Sequence, residues 1–267
     1  MATRHEQKEQ EYKNTERTFV DGILLEPTTK PRGATNMKFS IIFPTRDRLA
    51  LVSELLRSIR KNTAYIEDVE VLIAVDSDDI KSYDGIRHLC CPFVKVYQVP
   101  RSLNFSRDYY SYLAKLSSGN WIITANDDCV FETPNWDVLA YDVLKDKPGV
   151  IYGWIQDGID GYRAQGHGNY CCFPLQGRAG YEALGYIFPS RVPTWGADIW
   201  AKNLYDQVDS VVELPITLRH YCHHNKTREQ DEISKRIAMN QVPFDMRPNY
   251  DEVNRLLAVL RKEMSRV

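Results

Sequence analysis

Asn126-Asp127-Asp128 directly follows Trp121-Ile122-Ile123-Thr124-Ala125. That apolar, β-prone run predicts a buried strand, so the acidic triplet belongs to the loop where the strand leaves the core. Adjacent carboxylates on such a loop are hard oxygen donors for Mg²⁺ or Mn²⁺, and a rigid strand fixes their separation. A cation held there suits a diphosphate. For an isolated Asn-Asp-Asp, an Asx turn without metal is the better reading; the surrounding elements reverse it.

Upstream, Phe39 to Phe43 is a β-rich run that ends in Pro44-Thr45-Arg46-Asp47-Arg48. Leu51, Leu55, Leu56 and Ile59 then recur at helical spacing, with Arg48, Glu54, Arg57 and Lys61 mostly between them. A second strand, Val69 to Val75, ends in Asp76-Ser77-Asp78-Asp79, and a third runs from Phe93 to Val99. Asn104 to Leu116 predicts a helix with Tyr109, Tyr112, Leu113 and Leu116 on one face. The order β-α-β-β-α-β, with polar residues at strand ends, predicts an α/β fold. Its sheet is mixed and mostly parallel, flanked by helices, with a ligand crevice at the carboxyl edge.

Residues 38–131 resemble the nucleotide-binding half of a family 2 glycosyltransferase of the GT-A (Rossmann-like) fold. Pro44-Thr45-Arg46 matches the loop closing the family's first strand, and Asp76 or Asp78 matches the acidic residue that contacts the nucleoside. Phe105-Ser106-Arg107-Asp108 stands where the family has an Ala-Arg-Asn-like segment. Ser118-Gly119-Asn120-Trp121 resembles the approach to its Asp-x-Asp, whose first position is Asn126 here. The resemblance implies a donor site at Pro44, Thr45, Arg46, Asp76, Asp78, Arg107 and Asp127. It also implies a Mn²⁺ or Mg²⁺ ligand at Asp128 and a nucleotide-sugar donor, a UDP-sugar being favoured. A cation neutralises the charge that develops as the sugar leaves. Arg46, Arg48 and Arg107 are candidates to add phosphate donors, with Arg107 first among them.

In the second half, Trp195-Gly196-Ala197-Asp198-Ile199-Trp200 sits where such enzymes place a Glu-Asp motif opening a helix. By this resemblance Asp198 is the catalytic base of an inverting displacement, its tryptophans excluding water. A helix N-terminal carboxylate stabilised by the macrodipole is the plainer alternative. Val211 to Arg219 leads to His220, similar to the histidine that completes the family's metal site. A zinc centre competes at Cys222-His223-His224, but no Cys-x-x-Cys closes a four-ligand set. Glycines with interleaved aromatics from Gly153 to Tyr170 suggest a mobile loop that stacks on a ring, with Trp154, Asp157 and Trp195 as acceptor contacts.

At 267 residues and 43% apolar content, the chain suffices for one large core. Residues 1–36 read as a polar arm, with at most a short strand or hairpin at Phe19 to Leu25. Residues 37–267 then form one domain, 37–131 binding nucleotide and 132–267 acceptor. Val253, Leu256, Leu257 and Leu260 mark a C-terminal helix whose stripe packs on the core or forms a subunit contact. With no apolar run long enough to span a bilayer and no signal core, a cytoplasmic protein is expected. The six cysteines, four in adjacent pairs, predict free thiols.

The net charge of −2 leaves the acceptor open. Basic runs at Arg46 to Lys61 and Arg219 to Arg236, with the aromatic loop, favour a hydroxymethylated DNA base, as in phage-type enzymes, over a saccharide or lipid-linked acceptor. A nucleotidyltransferase and a non-catalytic nucleotide-sugar-binding module are the competing classes. The former needs a Gly-rich, basic signature near the first strand, which Pro44-Thr45-Arg46 does not supply.

Overall fold

The computed structural model describes residues 38–79, 83, 85–86, 94–158, 172–221, 235, 239 and 247–265, with the backbone of 19–20 and 23–24. Contacts divide the chain into Met1–Thr35 and Asn36–Val267. In the first unit, β1 (Phe19–Val20) and β2 (Ile23–Leu24) form a two-residue antiparallel ladder.

The second unit is built on eight strands, β3 (Phe39–Thr45), β4 (Val69–Asp76), β5 (Val94–Val99), β6 (Trp121–Thr124), β7 (Cys129–Phe131), β8 (Tyr152–Gln156), β9 (Leu175–Gly177) and β10 (Val211–His220). They lie in the order β5-β4-β3-β6-β9-β8-β10-β7. The pairs β5/β4, β4/β3, β3/β6 and β8/β10 are parallel, and β6/β9, β9/β8 and β10/β7 are antiparallel. The expected mixed, mostly parallel sheet is thus present. β4 is buried along its whole length and β3 nearly so, as strands covered on both faces must be.

Alternation assigns each face its core. Ile41, Phe43, Val71 and Ile73 point to one side, where α1 (Leu49–Asn62) and α3 (Trp136–Leu144) bury Val52, Leu55, Leu56, Ile59, Trp136 and Ala140. Ile42, Leu72 and Ile122 point to the other, against α2 (Tyr112–Leu116), α4 (Arg178–Leu184), α5 (Ala197–Asp206) and α6 (Tyr250–Met264). The C-terminal stripe packs on this second core: Leu256 is fully buried and Val253, Leu257 and Leu260 are partly so. Gly119 is required by close approach, since a Cβ there would lie 2.7 Å from the backbone nitrogen of Ser40.

Two elements differ from expectation. The segment before α2 is not α-helical but a π-helical turn over Ser106–Ser111. Its wider winding shifts the phase, so Tyr109 and Leu113 are buried while Tyr112 and Leu116 are exposed. Gly153 and Trp154 belong to β8 and not to a mobile loop. A Cβ at Gly153 would lie 2.7 Å from Leu214, so this glycine serves interstrand packing. The remainder of the Gly-rich stretch, 159–171, lies outside the described residues, as do His223 and His224. Among the described residues Cys129 and Cys172 are free thiols, and no helix is long and apolar enough to cross a membrane.

Candidate functional site

Sheet topology brings the candidate residues to one edge. β3, β4 and β6 are parallel, so Thr45-Arg46, Asp76-Ser77 and Asn126-Asp127-Asp128 leave the sheet on the same side. From β6 to β8 there are two antiparallel steps, which cancel, and β10 is parallel to β8. Asp157 and His220, at the ends of β8 and β10, therefore reach that same edge. β7 returns antiparallel with Cys129 opposite His220, which places Asp128 beside the histidine.

There Asp128 Oδ1 lies 3.3 Å from His220 Nε2, and the Tyr221 N–H donates to the Asp128 carbonyl at 2.8 Å. The imidazole stands edge-on to Phe173, with centroids 4.9 Å apart. Its backbone N–H donates to the Asp157 carbonyl at 3.0 Å, and the Cys172 thiol donates weakly to the Asp157 carboxylate at 3.6 Å. Burial pushes that thiol up to about 12, so it stays protonated. Oxygen and imidazole nitrogen suit Mn²⁺ or Mg²⁺. Among the described residues no group of three His, Cys, Asp or Glu side chains forms a closed metal cage. A two-ligand site fits a cation that takes its remaining ligands from phosphate and water.

Asp127 is fully engaged by protein. Its Oδ2 accepts from Thr45 Oγ1 at 2.7 Å and its Oδ1 from Arg48 Nη1 at 2.7 Å. Burial raises its pKa to about 6 against the pull of the Arg48 charge. Arg48 also lies 3.8 Å from Asp128, so it is the arginine at the acidic loop. Arg107, favoured by position in the sequence, is 64% exposed and pairs with its neighbour Asp108 at 2.7 Å. Position along the chain cannot show which strand ends meet.

The nucleoside-side candidates form a second cluster. Asp76 is buried, accepts from Tyr109 Oη at 2.5 Å and from Arg46 Nη1 at 3.2 Å, and lies 3.8 Å from Arg101. Arg46 also forks onto the exposed Asp78. Pro44 sits within β3 opposite Ala74. Tyr83 Oη is 3.0 Å from Thr45 Oγ1 and accepts from the Arg48 N–H at 3.3 Å. Tyr83, Tyr109 and Tyr110 were absent from the sequence-derived set; adjacent tyrosines ahead of the acidic strand were the available signal.

Asp198 occupies the first turn of α5, behind Gly196, whose φ of 89° favours glycine at that cap. Its side chain is only partly open to solvent, and burial raises its pKa to about 6. The backbone N–H groups of Ile199 and Asp198, with His220, oppose that rise and Asp157 adds to it, so the carboxyl senses the residues at the ends of β8 and β10 electrostatically. Trp195 is 38% exposed just before this cap, and Trp154 is half-buried against the second core.

The family model described as glycosyl transferase family 2 matches residues 40–195, more than half of the 267. The chain belongs to glycosyltransferase family 2. The match takes in β3 through the acidic loop, while Asp198 and His220 lie beyond it. No curated protein matches the sequence. Among solved structures, mannosyltransferase PcManGT from Pyrobaculum calidifontis, in complex with GDP-Man and Mn²⁺, aligns over 98% of this chain and 82% of its own. The identity is 13% and the TM-score 0.55. Staphylococcus aureus TarS 1-349, in complex with UDP, aligns over 66% of this chain at 15% identity and TM-score 0.52. The match spans 57% of that chain, under two thirds of its length. Glucosyl-3-phosphoglycerate synthase from Mycobacterium tuberculosis, in complex with Mg²⁺ and UDP, aligns over 85% of this chain and 79% of its own at 13% identity, TM-score 0.50. At these identities the likeness shows the fold, a GT-A glycosyltransferase fold.

Proposed function

We propose that this chain transfers a glycosyl group from a nucleoside-diphosphate sugar, a UDP-sugar, to a hydroxyl acceptor by an inverting displacement that depends on Mn²⁺ or Mg²⁺. The observation that carries the reading is the meeting of Asp128, on the loop before β7, and His220, at the end of β10, at 3.3 Å, on the edge that also bears Asp76 and Arg48. Family membership and the nucleotide and cation complexes of the similar structures support it. Asp128 and His220 would hold the cation, which would supply Lewis-acid neutralisation of the leaving diphosphate.

The chain's own residues do the rest. Arg48, tied to Asp127, presents a positive charge toward the diphosphate without the entropy cost of a free side chain. Asp76, steadied by Tyr109 and Arg46, faces the nucleoside side. Asp198, ionised at neutral pH yet more basic than an exposed aspartate, takes the proton from the attacking hydroxyl. Asp157, Trp154 and Trp195 are the acceptor-side candidates. The finer acceptor reading, a hydroxymethylated base in DNA, rests on the basic and aromatic runs of the sequence. Transfer to such DNA then falls steeply with salt as phosphate contacts are lost, and salt-independent transfer to oligosaccharides, with none to DNA, refutes it.

Calorimetric titration of UDP tests the donor site. Affinity rises by at least about tenfold with Mn²⁺ over EDTA, and Asp128→Ala removes most of that gain. Equal affinity in EDTA and Mn²⁺ overturns the proposal.

A further inference from the structure

The π-helical turn carries two adjacent tyrosines that reach different strand ends. Tyr109 Oη donates to Asp76 at the end of β4, while Tyr110 Oη contacts the loop after β6. Such turns recur at functional sites. Tyr110 Oη lies 3.0 Å from the Ala125 carbonyl oxygen and 2.8 Å from Asn126 Oδ1. As placed, both neighbours are acceptors, yet a phenol has one proton to give. Burial raises the Tyr110 pKa far above its usual value, so that proton is retained and cannot serve both oxygens.

The Ala125 carbonyl can only accept. The Asn126 amide can do either, because its oxygen and nitrogen exchange places on a half-turn of the amide plane. With Nδ2 donating to Tyr110 Oη, and Oη donating to Ala125, the tyrosine hydroxyl and the Ala125 carbonyl are both satisfied. The half-turn also turns Asn126 Oδ1 away from Tyr110, on a half-buried residue of the loop bearing Asp127 and Asp128. The backbone there is fixed independently, since the Cys129 thiol donates to the Asn126 carbonyl at 2.9 Å.

We propose that Tyr110 is a positioning residue that holds Asn126 with its amide oxygen toward the nucleotide, so that a neutral acceptor for donor hydroxyl groups opens the acidic loop. The proposal rests on the donor-site reading above.

The test is calorimetric titration of UDP with Mn²⁺ into the full chain and four variants. These are Asn126→Asp, Asn126→Ala, Tyr110→Phe and the double variant Tyr110→Phe/Asn126→Ala, each checked for an intact thermal transition. Aspartate supplies an oxygen in the same direction, so Asn126→Asp binds within about threefold of wild type, whereas Asn126→Ala loses about tenfold. Tyr110→Phe loses about three- to tenfold alone and nothing further when Asn126 is already Ala, as expected of a residue acting through the amide. A tenfold or greater loss in Asn126→Asp means that the nitrogen faces the nucleotide and overturns the proposal. So does an equal Tyr110→Phe loss in both backgrounds. Wild-type protein that binds no UDP removes the donor-site reading itself, a result distinguishable from either.

Discussion

Replacing Asp198 with Asn keeps the size and polarity of the side chain while removing its basicity. Burial raises this carboxyl from 3.8 to about 6. A group of that pKa is about nine-tenths ionised at pH 7 and about one-tenth at pH 5, so turnover that needs the carboxylate falls about tenfold over that interval. An ordinary aspartate would stay ionised throughout and leave the rate flat. A cation beside His220 adds positive charge near the carboxyl and draws the acid limb lower, so the limb lies at or below about 6. The assay is release of the nucleoside diphosphate, with transfer to acceptor or water, followed from pH 4.5 to 8 at saturating Mn²⁺ and donor. Asp198→Asn lowers turnover by about 10²-fold or more and abolishes the acid limb, while donor affinity stays within about twofold. If the Asn variant turns over within a few-fold of wild type, or keeps the limb, another group takes the proton and the assignment fails.

The two arginines separate in a UDP titration with Mn²⁺. Arg48→Ala weakens binding about tenfold or more because it strips the counter-charge from buried Asp127, whereas Arg107→Ala, at an exposed neighbour pair, changes it by less than about twofold; the reverse order restores Arg107 as the phosphate donor. Glu252 is fully buried, completes the capping box of α6, and accepts from Tyr186 at 2.5 Å and Arg191 at 2.6 Å. Glu252→Ala costs about 3 kcal/mol, or roughly 6–12 °C in Tm for a domain of this size. The Glu252 carboxyl is held below its usual 4.5, mainly by Arg191 and Tyr186 working against burial. Its stabilisation is therefore complete above pH 4.5 and fades as pH falls through the folded-state pKa, so the Tm gap between wild type and variant narrows in acid. A gap that stays constant down to pH 3 refutes the linkage.

The central strands were legible in the chain because a parallel strand covered on both faces must be continuously apolar. β3, β4 and β6 announce themselves that way, and their polar ends follow directly. The start of α5 at Asp198 and the docking stripe of α6 were equally local, set by residues within one or two helical turns. The π-turn was not legible. Its sequence has an acceptable α-helical period, and only packing of Tyr109 and Tyr110 onto two different strand ends selects the wider winding. Nor did spacing show that Arg48 meets the acidic loop while Arg107 pairs with its neighbour Asp108. The Arg48–Asp127 contact joins residues 79 apart in sequence and exists because β3 pairs with β6. His220 reaches Asp128 because two antiparallel steps cancel between β6 and β8 and β7 returns against β10. Periodicity and strand-end chemistry depend on neighbours along the chain, whereas the gathering of Asp128, His220, Arg48 and Asp198 depends on the pairing order of eight strands, which only the tertiary structure decides.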